Sequence, residues 1–509
     1  MISERPSQAL PLVACFSAAV GFLMWQALAW LHAGLFEYPL DDPYIHLAMA
    51  EGIAHGTYGI NPGEPASAAS SILYPVLLVP FAGSEVQRFL PLLWNLLGLG
   101  LLALVWGRIV RDAGLASGQA LFLALLGPFA LAMPAVAALG MEHTLHALAV
   151  AVLVGALWRF LTTGTFGPAL VLSAIFAPLL RYEGLALSLL AAATLVWRGR
   201  MASGVALGVA VLAGPALFGL YLMGQGLDPL PSSVLAKMGD ETRALNPLSK
   251  IFTMTEGPGA GIFLSAVALL FLTLVTPAVW SNRDLRLLLG IGAVAVLAQL
   301  LAGTVFWFNR YEHYAMVMIG AVLVIALPHL AGRHSQLIRV AMLLWALGYI
   351  WYSVVFYTWN PRSVHLEQEQ MARLTDLLPG EPVAVNDIGK VSWKHDVTVF
   401  DLWGLASREA RLARLPGKGG VPAPAGWAAA LVKAHHVRYA MVYDEWIANG
   451  IGADWRPVAR LTKSPERGLQ GGSHVTIYAT DPTFEPTLRQ ALRELAATLP
   501  EGAVLTELN

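Results

Sequence analysis

Eleven apolar runs follow one another before residue 358, near 9–34, 86–107, 117–138, 143–161, 166–180, 185–198, 203–224, 259–280, 286–306, 313–331 and 338–358. About twenty apolar residues are enough for a helix to cross a bilayer. Inside the hydrocarbon each backbone polar group must find its partner within the protein, so a run of this kind folds as a helix. The runs near 166–180 and 185–198 are short. A further run, 71–82, is shorter still and reads as a re-entrant or tilted half-helix. Only 13% of residues are charged, against about 25% in a soluble domain. Beyond about residue 360 the composition becomes that of a water-soluble domain. The expected fold is a polytopic α-helical membrane domain over 1–358, with about eleven transmembrane helices plus a re-entrant helix and a first outer loop at 35–70. An α/β soluble domain follows over 359–509.

Basic residues give the orientation. Arg5, Arg108 and Arg111, Arg159, Arg198 and Arg200, Arg283 and Arg286, and Arg333 and Arg339 fall on one side if 71–82 does not cross. By the positive-inside rule that side is cytoplasmic, with the N-terminus on it and the C-terminal domain outside. The first run is too long for a signal-peptide core and reads as a retained helix. The lone cysteine, Cys15, excludes a disulfide within the chain and reads as a small lipid- or helix-facing residue. A net charge of −1 gives no hint of nucleic-acid binding.

This topology gathers polar motifs that are far apart in sequence onto one outer face: Asp41-Asp42, Gly140-Met141-Glu142, Arg181-Tyr182-Glu183-Gly184, Pro231 to Lys237, and Asn309-Arg310-Tyr311-Glu312-His313. Charges beside a bilayer are costly and mark function by default. Asp42 precedes Pro43 and would cap an interfacial amphipathic helix near 43–54. Capping leaves Asp41 unexplained, so the pair points to catalysis or metal binding. His46, four residues after Asp42, shares its helix face and could complete an Mg2+ or Mn2+ site with Asp41 and Asp42; its alternative is packing near the headgroups. Ser70 and Ser71 would open the half-helix, as simple caps or as an anion-binding terminus. Glu142 suits a helix dipole or a sugar hydroxyl. Arg181 and Glu183 read as a salt-bridged pair or as part of a site. Arg310, with Glu312 and His313, follows an aromatic belt. Together Arg181, Lys237 and Arg310 could hold a lipid phosphate through charge-assisted bonds.

These segments resemble the GT-C class of polytopic glycosyltransferases, and within it bacterial arabinofuranosyltransferase-like proteins. The matching stretches are DDPYIHLAMAEGIAHGTYGINPGEPASAASSILYP at 41–75, GMEHTLHALA at 140–149, RYEGLALSLL at 181–190, LPSSVLAKMG at 230–239, NRYEHYAMV at 309–317 and DIGKVSWKHDVTVFDLWGLASRE at 387–409. Tyr182 and Ile72 stand where the family often has proline. The resemblance implies a periplasmic transferase of the bacterial inner membrane, with a polyprenyl-phosphate-linked sugar as donor and a hydroxyl on a glycan, lipid or protein as acceptor. It implies an acid of the first outer loop as general base, by position Asp41 with Asp42 assisting. Tyr44, His46, Glu142, Arg181, Glu183, Lys237, Arg310 and Glu312 then line the substrate site, and direct displacement inverts the anomeric carbon. No cofactor is certain from the sequence, and the metal site stays an alternative use of Asp41, Asp42 and His46. The competing functions are a glycan ligase using a polyprenyl-diphosphate donor, a lipid or sugar transporter, and a non-catalytic lipid-binding subunit.

In the C-terminal part, helices are expected near 363–378, 426–436 and 485–499, and strands near 382–387, 397–402, 438–443, 456–462 and 474–480. Asp387-Ile388-Gly389 and Asp401 to Leu405 follow predicted strands, where ligand-contacting loops sit; turn chemistry is the reading favoured for both.

Overall fold

The computed structural model describes residues 8–238, 259–303, 305, 307–394, 396–415, 422–465, 467–468 and 471–508, excepting the side chains of 237, 238 and 448. Among these, seven helices are long and apolar enough to cross a membrane: Leu10–Ala33, Glu85–Asp112, Ser117–Ala138, His143–Thr163, Met201–Gly224, Arg283–Ala302 and Gly332–Asp376. Four shorter apolar helices, Pro168–Leu180, Gly184–Trp197, Ala260–Leu274 and His313–His329, occupy the remaining expected runs. The chain is thus a multi-pass membrane protein. The 71–82 run differs from expectation. Only Tyr74–Leu77 is helical, a single turn, and a 3₁₀ helix at Glu85–Phe89 leads into the next long helix. One turn cannot cross a bilayer.

The described residues form two compact units. The first takes those of Met1–Ala27, Leu92–Leu217 and Pro247–Val355; the second those of Leu28–Pro91, Phe218–Asn246 and Phe356–Asn509.

In the first unit, side-chain chemistry sorts the helices. His313–Ala326 carries no polar face after its first residue, and all its residues are buried, as an all-round apolar helix requires. Helix His143–Thr163 packs against it and against Pro168–Leu180. Met201–Gly224 instead leaves Val205, Val209, Leu212, Leu217 and Leu220 exposed. An apolar outer surface of this extent suits lipid tails. Local sequence sets the helix ends: Gly164, at φ 71°, ends one helix in the left-handed conformation, and the Asn282 side chain caps another by accepting from Asp284 and Leu285 N–H at 3.2 and 3.1 Å. Trp106 donates through Nε1 to the Leu123 carbonyl at 2.9 Å. A Cβ built on Gly127 would lie 2.0 Å from that nitrogen. Gly127→Ala is therefore expected to displace the indole and cost about 1–3 kcal/mol, read as a lower midpoint in thermal unfolding of the detergent-solubilised protein. An unchanged midpoint would mean that the helix pair has room to separate.

The second unit is built on a six-stranded sheet: β1 (Val383–Val385), β2 (Val399–Asp401), β3 (Tyr439–Val442), β4 (Arg456–Lys463), β5 (Val475–Ala479) and β6 (Ala503–Glu507), in the order β2-β1-β3-β5-β4-β6. β1 pairs in parallel with β2 and β3; the other pairings are antiparallel. Alternation sorts the core. Val383, Val385, Tyr439 and Met441 enter one apolar cluster, and Ala384, Ala440 and Val442 the other, as the period of two demands. The five expected strands and three main helices are present. β6 and the short helices Gly389–Ser392, Arg408–Arg414 and Asp444–Ile447 were not expected; each is too brief to carry a periodic pattern.

Candidate functional site

The segment between the first two long apolar helices, which holds residues 35–70, belongs to the second unit. Its helix, Asp42–Ala54, starts one residue before Pro43. Pro43 to Ala50 are all buried, which differs from the expected amphipathic helix at a membrane surface. The reason lies in its apolar residues: Ile45 and Met49, one turn apart, join the core of Val383, Val385, Ile388 and Val391.

Asp41 stands at the cap position of this helix but makes no cap bond to it. Its side chain is 1% exposed and accepts instead from the N–H groups of Gly389 and Lys390, the latter at 2.8 Å. These are the first two residues of helix Gly389–Ser392, so Asp41 caps a helix that lies almost 350 residues away in the chain. Asp387 hydrogen-bonds the same carboxylate and accepts at Oδ2 from Gln368 Nε2 at 2.9 Å. Gln368 also reaches the Tyr443 hydroxyl, at 2.9 Å. Two carboxyl groups in contact hold one proton between them. Burial, then the Asp41 charge, pushes Asp387 well above the usual carboxylate range. Burial raises Asp41 too, opposed by the bonds from Asp387, Lys390 and Gly389. The two N–H bonds that Asp41 accepts favour its ionised form, so a proton held by the pair is placed best on Asp387, which then donates to Asp41. Asp42, next in the chain, is partly exposed and close enough for its charge to act on both.

A raised folded-state pKa means that the folded protein holds its proton after the unfolded chain has lost it, so stability falls as pH climbs from the ordinary carboxylate value through the raised one. Asp387→Asn keeps an acceptor for Gln368 and a donor for Asp41 without the titration. Its unfolding midpoint is expected to gain on the parent's as pH rises from about 4 toward 7. Parallel melting curves over that range would show that the pair is not proton-coupled.

A second polar layer surrounds the first. Lys390 Nζ pairs with Glu37 at 2.8 Å and Glu369 at 2.6 Å and sits 4.2 Å over the Tyr44 ring. The Tyr44 hydroxyl donates to Glu37. His46 is buried edge-to-face with Tyr74, their centroids 5.3 Å apart. Among the described residues no three His, Cys, Asp or Glu side chains are placed to share a metal ion. Ser71 Oγ accepts at 3.1 Å from the N–H of Tyr74, the first residue of helix Tyr74–Leu77. Ser232 N–H donates to Ser67 Oγ at 2.9 Å, and Ser233 Oγ donates to the Ala69 carbonyl at 2.8 Å. The loop thus meets helix Ser232–Met238, which carries Lys237; the side chain of Lys237 lies outside the described residues.

The other expected residues gather in the first unit, at helix ends. Arg181, which ends helix Pro168–Leu180, pairs with Glu142 at 2.7 Å and Glu183 at 2.6 Å. Glu142 and Glu183 precede helices His143–Thr163 and Gly184–Trp197, and Glu312 precedes His313–Ala326. The Tyr311 ring lies 5.4 Å from the Arg181 guanidinium carbon and 4.9 Å from that of Arg310, and Arg310 donates to the Tyr311 hydroxyl at 3.0 Å. Glu142, Arg181, Arg310 and Glu312 are all buried, with His143 and His146 beside them. The structure therefore brings Glu142, Arg181, Glu183 and Arg310 into one cluster and Asp41, Asp42, Tyr44 and His46 into another.

Asp387, Glu37, Lys390 and Gln368 were not expected to share a site. Asp387 carried a usable sign: it follows β1, which has parallel partners on both sides, and ligand loops sit at such switch points. Asp401 shows the contrast. It accepts from Trp403, Gly404 and Ala406 N–H at 2.7, 3.1 and 2.7 Å and does only turn chemistry.

Residues 358–478 match a family described as a domain of unknown function, DUF8728. No curated protein matches the chain. Among solved structures, ArnT from Cupriavidus metallidurans in the apo state is similar to it with a TM-score of 0.50 at 13% identity, covering 92% of this chain and 98% of ArnT. ArnT of the same organism bound to undecaprenyl phosphate aligns with a TM-score of 0.46 at 12% identity over the same shares. The likeness to apo ArnT shows the fold: an ArnT-like polytopic helical domain with a C-terminal α/β domain, the architecture expected from the sequence.

Proposed function

We propose that this chain is a membrane glycosyltransferase that moves a sugar from a polyprenyl-phosphate-linked donor to a hydroxyl acceptor. It works at the outer face of a bacterial inner membrane. In this reading the N-terminus is cytoplasmic. Residues 1–358 form the membrane domain and 359–509 an extracytoplasmic domain. The observation that carries the reading is a partly exposed carboxylate, Asp42, beside a fully buried one whose oxygens are already bonded, on an ArnT-like fold.

Polyprenyl phosphate is already a good leaving group. The protein must supply a base for the acceptor hydroxyl and cations for the departing phosphate. Asp41 has its lone pairs directed at two N–H groups and at Asp387, so its task is to hold the loop. Asp42, partly exposed beside it, takes the acceptor's proton while the acceptor oxygen attacks the anomeric carbon from the face opposite the carrier. The carrier then leaves as polyprenyl phosphate, and configuration inverts. Arg310 and Lys237 are the phosphate cations of this scheme. Arg181, already shared by Glu142 and Glu183, orders the cluster in which Glu142 and Glu312 meet sugar hydroxyls.

The test is a screen of the purified protein in nanodiscs against undecaprenyl-phosphate-linked hexoses and pentoses, with carrier release read by mass spectrometry. Release of undecaprenyl phosphate in the presence of an acceptor supports the reading. Release of undecaprenyl diphosphate from diphosphate-linked glycans alone would make the protein a ligase. Translocation of a labelled lipid in vesicles with no release would make it a transporter.

A further inference from the structure

We infer that the segment Asp387–Lys394, inside the domain of unknown function, is the seat of the Asp41–Asp42 pair, and that Asp387, Gly389 and Lys390 are positioning residues for the base. The word base rests on the transferase reading above; the seat rests on packing alone.

Three separate attachments fix helix Asp42–Ala54 to this segment. At its start, Asp41 takes the N–H groups of Gly389 and Lys390 and the Asp387 side chain. Gly389 is required there, because a Cβ would lie 2.1 Å from the Asp41 carbonyl oxygen and 2.6 Å from Oδ2. Along its length, Lys390 covers the Tyr44 ring while pairing with Glu37 and Glu369, and Ile45 and Met49 share a core with Ile388 and Val391. At its far end, Glu51 Oε2 accepts from Lys394 N–H at 3.2 Å. Beyond the helix, Trp393 Nε1 donates to Gln87 Oε1 at 3.0 Å, and Asn61 exchanges two bonds with the Val399 backbone, at 2.9 and 3.0 Å.

Attachment at the start, middle and end leaves the helix no rotation or slide, and the position of Asp42 follows from that of Asp41. The chemistry of the contacts argues for more than adhesion. Apolar residues would pack the same surface more cheaply than Lys390 and Glu37, which are 5% and 1% exposed at the side chain. A buried ion pair costs desolvation that its Coulomb attraction barely returns, whereas a fully bonded polar network specifies one geometry. A base needs that geometry held closely to act.

The experiment compares hydrogen–deuterium exchange of the full-length parent with Asp387→Ala, Asp387→Asn and Lys390→Ala in nanodiscs, and kcat and KM with whichever donor the carrier-release screen finds. In Asp387→Ala and Lys390→Ala, amide exchange over 40–54 is expected to rise about tenfold, with helices 143–163 and 313–326 unchanged. kcat is expected to fall with KM for the donor held, the pattern of a group misplaced in the transition state. Asn at 387 should restore both, since it still bonds to Asp41. The proposal is overturned if exchange over 40–54 stays at the parental rate, if it rises equally throughout the chain, or if Asn rescues no better than Ala. Local loosening in a protein whose parent releases no carrier from any donor would keep the seat and remove the transferase reading.

Discussion

Asp42→Asn is expected to lower turnover by about 10²–10⁴-fold, the usual worth of a positioned general base, equivalent to about 2.7–5.5 kcal/mol in the barrier. The substitution keeps the shape and one acceptor oxygen, and removes the charge and the ability to take a proton. Asp42 is an acid in the first turn of its helix, so loss of its charge costs about 0.3–1 kcal/mol of dipole interaction, far less than the expected kinetic loss. Folding and KM should therefore stay close to the parent's. Asp41→Asn should behave otherwise. An amide cannot accept from both the Gly389 and Lys390 N–H groups as a carboxylate does, and one buried donor is left unpaired at about 1–3 kcal/mol. That variant should lose thermal stability together with turnover. Steady-state kinetics beside melting curves decide between the two. Near-parental transfer by Asp42→Asn, with an inactive but fully stable Asp41→Asn, would return the base to Asp41.

That proposed division of labour was half legible in the sequence. Asp41-Asp42 is conspicuous beside a membrane run, and helix capping could absorb only one of the two. Nothing local says that the first carboxylate is spent on a helix N-terminus almost 350 residues away, because capping donors are backbone groups present at every residue. Asp387 could be placed at the end of a strand by pattern, and Asp401 equally so; only the sheet order separates them, putting Asp387 at a switch point and Asp401 in a turn. The membrane helices were the most legible part, since length and apolarity alone decide them. Helix Asp42–Ala54 was misread as a surface helix, because Ile45 and Met49 look the same whether they face lipid or a sheet. Lys390 and Glu37 were invisible: an isolated lysine and an isolated glutamate carry no pattern until the fold pairs them.

Arg181→Gln is expected to destabilise the protein by about 3–5 kcal/mol, the cost of leaving a buried ion pair half broken. Arg181 and Glu142 are 5% and 0% exposed at the side chain, and Arg181 also serves Glu183. Removing the guanidinium leaves two carboxylates without their shared cation at the ends of three helices, and Glu142, 0% exposed, has the least access to water in its place. Thermal unfolding in detergent should show the loss directly, and it should exceed that of Gly127→Ala. The same numbers separate structure from function. In the triple variant Arg181→Met, Glu142→Gln, Glu183→Gln no uncompensated charge remains, and replacing a whole buried ion set is often neutral; most of the lost stability should return. If Glu142 meets the sugar, transfer stays low in that stable background, with KM for the donor raised. Recovery of transfer along with stability would make the cluster a structural clasp and leave the chemistry to Asp42.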